Sequence, residues 1–202
     1  PFADNGNYSN TFICSGPEIN RPDMMVTFMA WCTDEQLKPH PFPGFTILAE
    51  HMRPSSRGHV RISGASAQDK PEIQFNFFAD EADQRAAIAG LKFGRKIAET
   101  APMSDCVECE LSPGQDVQSD ADLLEYCRTN GLSLLHPVGT CKMGTGTEAV
   151  VDPRLRVHGI DGLRVADASI MPRIVTGNTN AASIMIGEKA AAMILEDARG
   201  NA

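Results

Sequence analysis

A chain of 202 residues, 42% hydrophobic and 22% charged, is long and apolar enough to bury a real core in one large or two modest domains. Its 26 acidic against 18 basic residues give a net charge of −8, which argues against a nucleic-acid surface, since neutralising phosphates needs clustered Lys and Arg. No apolar run approaches a bilayer span and no basic-then-apolar leader is seen, while the opening at Pro1 without a methionine leads us to expect further chain upstream.

Residues 1–23 read as polar and turn-rich, with Gly6, Gly16, Pro17 and Pro22 around a short apolar island, Thr11-Phe-Ile-Cys14. An apolar run with β-formers over 24–31 predicts a buried strand. The prolines of Lys38-Pro-His-Pro-Phe-Pro-Gly44 each remove a donor and restrict the residue before them, so this stretch is a loop. A strand resumes over 45–50. After the turn Arg53-Pro-Ser-Ser-Arg-Gly58, alternation over 59–63 and again over 72–76 predicts two more strands. Strands joined by short turns point to an antiparallel sheet.

The first helix is expected from Asp80 through Ala98. Asp80 caps it, Asp83 completes an approximate capping box, and Ala87, Ile88, Leu91, Gly94, Arg95 and Ile97 mark its period. A second, shorter helix over 119–127 is capped by Ser119 with Asp122 in the box and stopped at Gly131. The last runs over 181–198, with Ile184, Ile186, Ala190, Ala191, Ile194 and Leu195 on its apolar face. A change of composition near 130 divides the chain into domains 1–130 and 131–202.

Six cysteines are scattered through a chain too long and apolar to need staples, and reduced thiols in a cytoplasmic protein are expected. Cys106-Val-Glu-Cys109 has metal or redox spacing, but no second Cys or His pair matches it and no strand-to-helix turn precedes it, so no metal site is expected.

The chemistry gathers at the C-terminal end, in His136-Pro-Val-Gly-Thr-Cys-Lys-Met-Gly144, Gly162-Leu-Arg-Val-Ala-Asp-Ala-Ser-Ile-Met-Pro172 and Gly177-Asn-Thr-Asn-Ala181. Removing a hydroxyl proton near neutral pH suits a histidine. His136 follows an apolar Leu134-Leu135 expected to anchor it, Pro137 holds the backbone extended, and Gly139 lets the chain turn back. Asn178 offers an amide that holds an alcohol oxygen without titrating. Singly, each residue also has a plainer reading: His136 as an ordinary surface or core histidine, Asn178 as a turn or cap residue, Asp167 as a cap.

Together the three segments resemble the C-terminal part of the glucose–methanol–choline (GMC) family of flavin-dependent alcohol oxidoreductases, choline dehydrogenase-like branch. Arg21-Pro-Asp23, Arg53-Pro-Ser-Ser-Arg-Gly-His-Val-Arg-Ile62 and the helix from Asp80 extend the resemblance over nearly the whole chain. The resemblance implies an α+β fold: an antiparallel sheet of about five or six strands with helices on one face, as substrate-binding domain, and then a C-terminal segment of the FAD-binding domain. It implies His136 as the catalytic histidine and Asn178 as the second active-site residue. Asp167 and Ala168 would line the ribityl and pyrophosphate part of FAD, and Thr179 and Asn180 the pyrimidine edge of its ring. The glycine fingerprint for the ADP half is absent, and Gly144-Thr-Gly146 does not replace it. The expected partners are thus a small-molecule alcohol and a missing N-terminal FAD-binding portion, with no nucleic acid and no membrane span. A half-enzyme of this kind is expected to be inactive alone.

Choline oxidisers of this family place a carboxylate near the strand before Arg-Pro-Asp, whereas Asn7-Tyr-Ser-Asn10 holds none, and Tyr8 offers at most a cation–π face. A primary aliphatic or aromatic alcohol fits equally. Two further readings stay open: a cyanohydrin lyase on the same scaffold, which keeps flavin without redox chemistry, and a cofactor-free binding module. If the chain stands alone, the last helix exposes an apolar stripe and a homo-oligomer is expected.

Overall fold

The computed structural model describes residues 7–33 and 38–200. The fold is α+β, with antiparallel strands followed by helices, and it divides into two compact units. One comprises residues 1–57 and 76–132, the other residues 58–75 and 133–202. Residues 58–75 belong to the same compact unit as the C-terminal part of the chain.

In the first unit, β1 (Asn7–Ile13), β2 (Met24–Met29) and β3 (Thr46–His51) form one sheet in the order β1-β2-β3, both pairs antiparallel. The sequence read 1–23 as turns, yet β1 runs through Asn7, Ser9 and Asn10. These polar residues have low strand propensity, and it is the ladder to β2 that fixes them, with a register shift between Asn7 and Ser9. The Tyr8 side chain lies outside the described residues. As the central strand, β2 buries Met24, Met25, Val26 and Thr27 in succession, which is why its sequence is a continuous run and does not alternate.

Helix α1 (Glu81–Ala98) crosses this sheet on the face of Met24, Ile47 and Ala49. Its buried residues are Asp83, Ala86 and Gly90, a narrower and smaller set than the sequence suggested; Ala87, Ile88 and Leu91 are only half-buried. Small residues let the helix approach closely. A Cβ added at Gly90 would lie 2.7 Å from both Ala49 Cβ and Met24 Cε. Gly90→Ala would gain about 1 kcal/mol of helix propensity but overpack the contact, at a cost of roughly 1–3 kcal/mol. The rigid strand partner decides the balance, so a lower thermal midpoint is expected by calorimetry; a raised one would mean that α1 is not seated this tightly.

The N-terminus of α1 also differs from the simple box. Asp80 caps it through Ala82 N at 2.8 Å, but its own N–H donates to Ser56 Oγ at 3.0 Å, the task expected of Asp83. Asp83 turns inward instead and accepts from Ser55 N at 2.8 Å and Ser56 N at 2.7 Å, tying the turn after β3 to the helix. Helix α2 (Asp120–Asn130) begins as expected at Ser119, which accepts from Asp122 N at 3.1 Å, and ends at Gly131, whose N–H donates to Cys127 O. Leu123 is its fully buried anchor.

In the second unit, β4 (His59–Arg61) and β5 (Glu72–Gln74) make a separate antiparallel hairpin, so the five strands form a three-stranded and a two-stranded sheet among the described residues. The remainder winds as loops around Val151, Leu155, Ile170 and Met171, which pack with Ile186 and Ala190 of α3 (Asn180–Gly200). Arg154 pairs with Glu196 and Asp197, and Arg164 with Asp197, pinning the 154–164 loop to the end of α3. The Arg164 and Arg154 guanidiniums hold the Asp197 carboxyl below the usual range. Only Ile186 and Ala190 of α3 are buried; Ile184, Met185, Ile194 and Leu195 are exposed. No described helix is long and apolar enough to cross a membrane.

Candidate active site

Two loops and a helix start meet in the second unit. The backbone before His136 is unusual: Leu135 holds φ 59°, a left-handed conformation that costs a branched residue energy and recurs at functional sites. The expected anchoring by Leu134-Leu135 does not occur within this chain, since the two side chains are 46% and 82% exposed. The loop is fixed beyond the histidine instead, where Gly139 takes φ 88° and Cys141 N and Met143 N donate to Ser169 O (3.0 Å) and Ile170 O (2.8 Å).

On the opposite side Gly177 takes φ 117°, which an L side chain rarely adopts, and swings the chain into α3. Asn178 and Thr179 precede the helix and both face His136. Nδ1 of His136 lies 2.8 Å from Thr179 Oγ1, and Asn178 Nδ2 lies 3.3 Å from Nε2. The ring is half-buried, Asn178 is exposed and Thr179 is buried, so the imidazole is gripped on its inner nitrogen and open at its outer one. The structure thus brings His136 and Asn178, 42 positions apart in sequence, into contact.

The four residues expected at the cofactor are arranged less uniformly. Asn180 is the first residue of α3 and exposed. Thr179 spends its hydroxyl on His136, a contact with no local sequence signal because its partner lies 43 positions away. Asp167 caps the short 3-10 turn Ala168–Ile170, accepting from Ser169 N at 2.7 Å, and Ser169 holds its carboxyl below the usual range. Ala168 packs against the core of the second unit. These two residues therefore lie beside the pair, Ser169 and Ile170, that receives the loop following His136.

The first N–H groups of α3 have no acceptor within the helix and carry its positive dipole end, and Asn178 and Asn180 present amides to the exposed side. No cluster of His, Cys, Asp or Glu among the described residues is arranged to hold a metal ion.

The GMC oxidoreductase family matches residues 54–187, and the chain belongs to that family. It is 39% identical over 188 residues to the alcohol dehydrogenase [acceptor] of Pseudomonas putida, a match covering 93% of this chain and 34% of that protein. It is 40% identical over 196 residues to the oxygen-dependent choline dehydrogenase of Escherichia coli O45:K1, covering 95% of this chain and again 34% of the relative. The chain thus spans about a third of the length of these relatives. Among solved structures, pyridoxine 4-oxidase from Mesorbium loti superposes with a TM-score of 0.83 at 29% identity, over 93% of this chain and 37% of that one. A formate oxidase variant of Aspergillus oryzae RIB40, whose structure concerns FAD modification, gives 0.81 at 29% identity, over 90% of this chain and 33% of that one.

Proposed function

We propose that this chain is the substrate-binding and catalytic-base part of an FAD-dependent oxidoreductase that converts an alcohol CH–OH group to a carbonyl. The observation that carries the reading is the His136 ring, gripped at Nδ1 and presented at Nε2 beside an amide. An alcohol oxygen entering between His136 and Asn178 accepts a hydrogen bond from Asn178 Nδ2 and gives its own proton to Nε2. The amide holds the oxygen while its negative charge grows, and the imidazole keeps the proton as the carbonyl forms. FAD, when bound, supplies the acceptor for the hydride that leaves the same carbon. Asp167, Ala168, Asn180 and the backbone of Thr179 would hold it, with the start of α3 favouring negative charge at the ring.

Residues 1–130 act as the substrate-binding domain in this reading, and the portion of the protein that binds most of FAD lies outside this chain. The curated relatives act, by their names, on alcohols and choline, which supports a small alcohol as the substrate class. The test is anaerobic addition of candidate alcohols, choline among them, to the complete flavin-loaded protein. Loss of the oxidised-flavin absorbance is expected. Bands that persist while a cyanohydrin is cleaved would replace this reading with the lyase one, and bands that persist with no chemistry at all would leave a binding module.

A further inference from the structure

We infer that Thr179 is a positioning residue that holds the His136 ring by its inner nitrogen, so that Nε2 faces the side from which an alcohol enters. The inference rests on the proposed role of His136 and adds the residue that prepares it. The two ring nitrogens face different surroundings. Nδ1 lies 2.8 Å from Thr179 Oγ1, a hydroxyl that accepts from a protonated Nδ1 and donates to a bare one, so the contact holds the ring in either state. Nε2 meets the Asn178 amide on the exposed side.

The two contacts are unequal. At 3.3 Å the Asn178 contact is long and that side chain is exposed, so water or substrate displaces it readily. The Thr179 contact is short, and Thr179 is only 7% exposed, leaving no solvent to replace its hydroxyl. A half-buried ring nitrogen bonded to a buried hydroxyl is held firmly in place. The positioning therefore belongs to Thr179. It keeps Nε2 directed outward before an alcohol arrives and, with the hydroxyl as acceptor from Nδ1, keeps the ring in the same plane once Nε2 has taken the proton.

Position along the chain strengthens the assignment. Thr179 immediately follows Asn178 and immediately precedes α3, and its carbonyl accepts from Ser183 N at 2.9 Å. Its backbone is thus fixed by the first turn of the helix. One short segment sets both the amide that meets the substrate and the hydroxyl that aims the base.

The test uses the complete flavin-loaded enzyme in wild-type, Thr179→Val and Thr179→Ser forms, with His136→Leu as reference. Valine keeps the shape and removes the hydroxyl, whereas serine keeps it. Three readouts are taken: kcat/KM for the best alcohol, flavin content, and ring 15N shifts of His136, assigned by their loss in His136→Leu. Thr179→Val is expected to lose about tenfold to a hundredfold in kcat/KM, the size seen where the outer partner of a metal-bound histidine is removed. Its flavin content should hold, and the Nδ1 shift should move from its wild-type value as that nitrogen loses its partner. Thr179→Ser should restore both rate and shifts. The inference is overturned if Thr179→Val keeps its kcat/KM, if serine fails as valine does, or if the ring shifts are unchanged without the hydroxyl. Turnover by His136→Leu would instead remove the base assignment, and the 15N shifts would still decide whether Thr179 holds the ring.

Discussion

His136→Leu in the complete enzyme is expected to lower kcat/KM for alcohol oxidation by about 100- to 10,000-fold, the range over which a positioned general base accelerates proton transfer. Flavin content should stay at the wild-type level. The distinction follows from where the histidine sits. Its inner nitrogen is spent on Thr179 and its outer one points to the exposed side, so the ring carries no visible share of the core built by Val151, Leu155, Ile170, Met171, Ile186 and Ala190. Leucine approximates its bulk and removes both nitrogens. Measuring absorbance for bound flavin and oxygen uptake or dye reduction for turnover separates the outcomes. A variant that binds flavin but oxidises alcohol at the wild-type rate would remove His136 from the reaction, while one that loses flavin would assign it to cofactor binding.

The sequence and the structure agree most closely where the determining interactions are local. Asp80 and Ser119 announce helix starts because a cap acts within three residues, and Gly131 ends α2 for the same reason. They part where the determinant is distant. β1 is held by β2 and not by its own residues. Asp83 satisfies half the pattern of a capping box, yet its carboxylate answers to Ser55 and Ser56, more than 25 positions earlier in the chain. The site shows both regimes. Gly139 and Gly177 are legible as turns, whereas His136 and Asn178 stand out only through resemblance to a family, since a histidine and an asparagine in loops have many ordinary uses. The Thr179 contact was not legible at all. The apolar residues flanking the site misled in the other direction: Leu134 and Leu135 look like core anchors in sequence and are exposed in the structure.

Asp83→Ala is expected to be the most destabilising single change in the first unit. Asp83 is only 3% exposed, and its carboxylate receives two backbone N–H groups and lies 3.6 Å from His51 Nδ1. Hydrogen bonds to a charged group contribute about 1.5–3 kcal/mol each, and removal of the acceptor leaves two backbone donors without their partner. A loss of roughly 3 kcal/mol or more is therefore expected, which lowers an apparent Tm by about 10 °C in a protein of this size.

The same cluster gives the effect a pH signature. Burial pushes the Asp83 carboxyl up, but Ser55 and Ser56 as donors, with His51 beside it, outweigh burial and hold it below the usual value of 3.8. A carboxyl lowered in the fold contributes stability above its unfolded value and loses it as pH falls through the folded one. His51 works in the same direction. Burial lowers it below 6.5, and nearby Asp83 and Asp23 only partly offset this, so the fold favours its neutral form and that contribution also fades on acidification. Asp23 is itself buried and held by Ser15 through N at 2.8 Å and Oγ at 2.6 Å, which keeps His51 between two fixed carboxylates. Melting curves of wild type and Asp83→Ala from pH 7 to pH 3 should begin to draw together as pH falls below the usual carboxyl value of 3.8. A gap that stays constant across that range would show that Asp83 acts through its shape and not through its charge.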